Sequence, residues 1–177
     1  MKIKCLLLLS LVISGCRINN TGLSNPIVIS SIDSICALCE PKRNGSLEHI
    51  TLDEYYLQDE RNPRNKQWIF GDSIAKHCNT DDLIELATKH HSLSIRYVAF
   101  KLLLQNNPHE AVNILIEQID SNDSIIAAHL DESFPELLSG LRVKLVHGNR
   151  KLYNVSVYDS VAIDKAIQGS KNSFISY

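Results

Sequence analysis

The chain has little of what marks the unusual protein classes. Seven glycines and five prolines in 177 residues exclude collagen-like and Pro/Gly-rich disordered chains. Beyond the first 15 residues no apolar run approaches the roughly 20 residues that a spanning helix needs, which excludes a multi-pass membrane protein. Basic side chains are not in excess, at 18 against 20 acidic. No lysine and arginine stripe is left to neutralise phosphates, and nucleic acid is not expected as a partner. The Gly-rich phosphate loop, the Gly-x-Ser-x-Gly elbow and the His-Glu-x-x-His helix are all missing, and with them the common nucleotide and hydrolase signatures. What is present is 44% hydrophobic and 21% charged. That is one ordinary domain, able to bury about two thirds of its unfolded surface without disulfides.

The N-terminus has a different character. Lys2 and Lys4 precede an apolar stretch from Cys5 to Ile13 that only Ser10 interrupts, followed by Ser14, Gly15 and Cys16. A charged start and a short apolar run are the first two parts of an export signal, too short to span a bilayer. The segment Ile13-Ser14-Gly15-Cys16 resembles the lipobox of bacterial lipoproteins. That resemblance implies removal of residues 1–15, a diacylglycerol on the Cys16 thiol, and a permanent anchor in the envelope once a further acyl chain is added. Losing Lys2 and Lys4 moves the formal charge from −2 to −4. Arg17 is not the aspartate of the inner-membrane retention rule, so the resemblance favours the outer membrane, facing the periplasm. Residues 16–31 are rich in Asn, Ser and Thr and are expected to be a flexible tether. Residues 32–66 carry no clear pattern.

Three thiols remain: Cys36, Cys39 and Cys78. The Cys36-Ala37-Leu38-Cys39 spacing is that of a redox motif, but the strand and crossover pattern around it is missing. In an oxidising envelope one structural disulfide is the expectation, within the pair or from either member to Cys78. A zinc site from Cys36, Cys39, His77 and Cys78 has the right ligand count, although adjacent His77 and Cys78 are poorly placed to share one ion from a helix, and no metal is expected. His90 and His91 read as a solvated turn, with a ligand or acid/base pair as the alternative. His129, Asp131 and Glu132 read as cap chemistry before a helix. Trp68 reads as core, with ligand stacking as the other possibility.

Helical periodicity is strong across residues 80–119. Thr80, Asp81 and Asp82 offer a cap and first-turn acids, and Leu83, Leu86 and Ala87 repeat at i, i+3, i+4. Ile95, Val98, Ala99, Leu102 and Leu103 extend the same pattern over a second helix. Asn107, Pro108 and Glu110 open a third, whose buried face is Ala111, Val112, Leu115, Ile116 and Ile119. The stretch from His90 through Ile95, Arg96, Ala99 and Leu103, followed by Pro108, Ala111, Val112, Leu115 and Ile116, resembles HEAT-type α-solenoid repeats. The place of that family's ladder aspartate holds His90, which leaves Arg96 to pair elsewhere or face solvent. Ser133-Phe134-Pro135-Glu136 reads as a further capping box, opening a helix to Gly148, and residues 156–167 read as another helix stopped by Gly169. Trp68, Ile69, Phe70 and Ile74 supply an earlier one ending near Cys78.

The expected architecture is therefore all-α, with short antiparallel hairpins over residues 67–169 and a tail at 170–177. No cofactor is expected. An enzyme is disfavoured, because the resemblance implies a surface for binding. The expected function is a lipid-anchored interaction module holding another envelope protein, with His90, His91 and Arg96 as a possible surface. An immunity lipoprotein blocking a toxin is the second reading, and an enzyme or zinc protein the third.

Overall fold

The computed structural model describes residues 23–41, 46–52, 65–129 and 132–172. The expected export signal, Cys16, Arg17, Asp131 and the last five residues lie outside that set. Among the described residues there are seven helices and one three-stranded sheet. The protein is mostly helical, but the all-α expectation is incomplete.

Helix α1 (Pro26–Cys39) starts where a tether was expected. Its cause is local: the Asn25 side chain accepts from the Ile27 amide at 2.9 Å, and Pro26 fits the first helical turn, where no N–H is needed. Val28, Ile32, Ile35, Cys36 and Cys39 then fall on one buried face. Strand β1 (His49–Thr51) follows, then α2 (Lys66–His77), which begins at an Asn65 cap. Helix α3 (Thr80–Lys89) is capped by Asn79 rather than Thr80. Asn79 and Asp82 close a reciprocal box, each side chain accepting from the other's backbone at 2.9 and 3.0 Å.

Helix α4 (Leu93–Asn106) is the centre of the molecule. It packs against α1, α2 and α3, and against α5 (Pro108–Glu117), α6 (Leu138–Gly148) and strand β2 (Ser124–His129). The amphipathic stripe read from its sequence understates it: Ser94, Ile95, Tyr97 and every residue from Val98 to Leu104 are buried. Even Lys101 is covered, with Nζ 4.0 Å from the centre of the buried Trp68 ring. Gly71 on α2 lies where a Cβ would stand 3.4 Å from Val98 Cγ1, so a small residue lets the two helices approach. Helix α7 (Val157–Gly169), expected as a helix from the sequence, packs on α5 and is capped by Ser156, whose Oγ accepts from the Asp159 amide at 3.0 Å.

Strand β3 (Glu132–Leu137) is the second correction. The Ser-Phe-Pro-Glu segment is not a helix start: it pairs antiparallel with β2, Phe134 opposite Ala127 and Pro135 opposite Ile126, and the helix begins only at Leu138. The signal was the alternation in β2, where Ile125 and Ala127 are buried between less buried neighbours. Pairing to that strand outweighs a local capping pattern. His129 and Glu132 therefore face each other across the strand pair instead of capping a helix.

One sheet edge is covered by a side chain and the other lacks a donor. The Ile126 amide donates to Glu48 O at 2.8 Å, in the chain just before β1, so Ile125 and Ala127 aim their backbone groups at β3. By the same alternation Pro135 turns outward, where its missing N–H leaves the outer edge a donor short. On the other side Gln67 stands in for a strand: its Oε1 accepts from Thr51 N at 3.2 Å and its Nε2 donates to Thr51 O at 3.3 Å.

Candidate functional site

Cys39, His90 and Arg96, all singled out by the sequence, fall into two polar nodes, both reaching α4. The first surrounds that helix's N-terminus. Ser92 caps it, accepting from the Ile95 amide at 3.3 Å, and the Glu48 carboxylate accepts from Ser92 Oγ at 2.8 Å and from the Ser94 amide at 2.9 Å. A carboxylate placed there satisfies orphan donors and meets the positive end of the helix dipole. Ser94 Oγ donates to His49 O at 3.3 Å and is near enough to the Cys39 sulfur to favour its thiolate form. The Cys39 thiol in turn donates to Gln67 Oε1 at 3.5 Å.

His90 belongs to this node and is not the solvated turn residue expected; only His91 is exposed. The His90 Nδ1 accepts from the Ser92 amide at 3.1 Å, which fixes a neutral ring. Burial first, and the neighbouring His91 next, push its pKa down to about 4. Cys39 moves the other way, up to about 11, mainly because its thiolate would be desolvated. A thiol and an imidazole held neutral from opposite sides do not form the ion pair of a cysteine nucleophile.

Cys36 and Cys39 sit one turn apart near the end of α1, with Cys78 as the C-cap of α2, and no disulfide joins any two of the three. Burial pushes Cys78 up to about 11 as well. His77 closes α2 next to it. Among the described residues, no group of three or more His, Cys, Asp or Glu side chains is placed to hold a metal ion. No helix among them is long and apolar enough to cross a membrane.

The second node is built on two arginines. Arg96 pairs elsewhere, as one of its two sequence readings had it: Nη1 donates to Asp123 Oδ2 at 2.7 Å and Nη2 to Gln118 Oε1 at 3.1 Å. Arg142, on α6, reaches the same Gln118 oxygen at 2.7 Å and also donates to Ala87 O at 2.7 Å and Arg96 O at 3.2 Å. Its guanidinium lies 4.8 Å from the centre of the Phe100 ring. Arg142 is 1% exposed. Burial, then Arg96, push its pKa down to about 9, still well above neutrality, so it stays a cation. Asp123 is held below the usual carboxylate range by its bonds to Ser121 and Arg96, against the effect of its own burial.

This node joins α3, α4, α6 and the turn after α5 through one side chain, and sequence reasoning missed its key residue. The clue was legible: Leu138, Leu141 and Leu145 mark an apolar stripe, and Arg142 falls on it. Glu48, Gln67 and Gln118 gave no such signal, because their partners lie far along the chain. Both nodes chiefly fasten elements to each other.

No protein family matches the chain, and no curated protein or solved structure matches it.

Proposed function

We propose that the protein is a lipid-anchored, non-catalytic module of the bacterial envelope that holds another protein on its helical surface. The observation that carries this reading is the use of its polar side chains: Cys39, His90, Arg96 and Arg142 are engaged inside the fold, bonding one element to another. The sheet supports it too, since Gln67 on one edge and Pro135 on the other disfavour strand addition. Helix faces are left to meet a partner. Helices α3, α4 and α5, packed in succession, form one HEAT-like repeat in this reading, with α6 and α7 as degenerate additions.

The anchor rests on the Lys2, Lys4, apolar run and Cys16 pattern. Photo-crosslinking in living cells tests the whole reading, with a benzophenone side chain replacing the half-exposed Leu38 or Ile69, or the exposed His91. A discrete adduct with one envelope protein, repeated from neighbouring positions, is the expected result; adducts with lipid alone from every position would overturn it. The immunity reading draws on the small size and the acidic balance of 20 against 18 charges. It requires the captured partner to be a toxin and cells lacking this protein to be sensitive to it.

A further inference from the structure

We infer that the outer face of α7 lies on the anionic surface of the membrane that carries the lipid anchor, and so sets the domain's orientation. This rests on the anchored reading proposed above. Leu152, Val157, Tyr158 and Val161 are 69%, 82%, 90% and 48% exposed, among the described residues the most open large apolar side chains outside α1 and α2. Val157 and Val161 are one turn apart, Tyr158 lies beside them, and exposed Lys165 continues the same stripe a turn further on. Lys151, also exposed, precedes Leu152.

The two acids of α7 do not oppose an anionic surface. Asp159 is buried against His109 at 2.8 Å, and Asp164 receives Arg150 at 2.8 Å. What remains outward is apolar and aromatic surface flanked by two lysines, the chemistry of an interfacial contact with anionic headgroups. Four side chains are far fewer than the roughly 20–30 residues a side of a standard protein interface. A bilayer needs no such area here, because the anchor has already made the contact intramolecular. Nine residues lie between Cys16 and Pro26, a reach of at most about 35 Å. A domain of this size is about 40 Å across. It stays within one tether length of the bilayer surface.

The test uses the lipid-bearing chain isolated from membranes, with Tyr158→Trp, in vesicles one third phosphatidylglycerol whose acyl chains are brominated. The expected result is loss of at least half of the emission that the introduced indole adds, while buried Trp68 in the parent chain keeps its own. Lys151→Glu with Lys165→Glu should weaken the contact at least about fivefold per lysine and restore the emission. An unchanged urea midpoint shows that these exposed substitutions leave the fold intact. A chain that sediments with the vesicles while the introduced indole stays unquenched overturns the inference and leaves the anchor standing. A chain whose mass shows no lipid on Cys16 overturns both. An indole shielded from aqueous acrylamide on the vesicles yet unquenched by the brominated chains would assign the face to a second copy or another protein, which also overturns it.

Discussion

Replacing Arg142 with methionine tests what holds the helices together, because Met keeps most of the volume over Phe100 and removes only the guanidinium. Three charge-assisted bonds vanish, to Ala87 O, Arg96 O and Gln118 Oε1, together worth about 6 kcal/mol. Burial and the neighbouring Arg96 work the other way: together, net of Asp123 and Tyr97, they move the guanidinium from 12.5 to about 9, a penalty of about 5 kcal/mol that methionine escapes. Gln118 keeps Arg96 as a donor, so the acceptor left stranded is Ala87 O, in the last turn of α3, at a cost of about 2 kcal/mol. The balance is a loss of about 3 kcal/mol, or about 6–12 °C in Tm for a domain of this size. Trp68, the chain's single tryptophan and buried in the core, reports urea unfolding directly. The midpoint should fall with the slope unchanged. A variant as stable as the parent, or more stable, would refute the reasoning, since burial would then outweigh everything the guanidinium bonds.

Other consequences are quicker to check. His90 is neutral in the fold with a pKa of about 4, against 6.5 for the free side chain; the stability it contributes is complete above pH 6.5 and is lost as pH falls toward 4. The loss is on the order of 2 kcal/mol, and His90→Asn should flatten the slope of urea midpoint against pH in that window. Asp159 raises the pKa of exposed His109, so their link is present below pH 6.5 and fades as pH rises through the raised value; an NMR titration should show His109 returning to its ordinary value in Asp159→Asn. Cys39 and Cys78, both pushed up to about 11, should react with a thiol reagent at pH 8 far more slowly than a free cysteine until urea unfolds the chain; fast labelling of native protein would contradict their burial. Pro135→Val restores a donor on the outer edge of β3, and light scattering should show faster association than in the parent.

The helices from α3 to α5 were legible because each is specified locally. Caps at Ser92 and Asn107 and an unbroken apolar period mark where α4 and α5 begin and which faces they bury. Helix α1 was equally specified, by Asn25, Pro26 and the spacing of Val28, Ile32 and Ile35, but its Ser-rich, tether-like surroundings hid it. The sheet was harder to see for a physical reason. Its first strand is three residues long and pairs with a partner 77 positions away, His49 with Ile126, so no local pattern encodes it. The polar nodes share that property: the Glu48 bond to Ser92 spans 44 residues and the Arg142 bond to Ala87 spans 55. Only a charged residue on an apolar stripe, as at Arg142, betrays such a partner in advance.

Everything proposed about location depends on Cys16, and the intact mass of the chain isolated from cell membranes reads it most directly. A form beginning at Cys16 and heavier than its polypeptide by a diacylglycerol and an acyl chain is the expected result. An unmodified chain that still begins at Met1, recovered from the soluble fraction, would contradict the account.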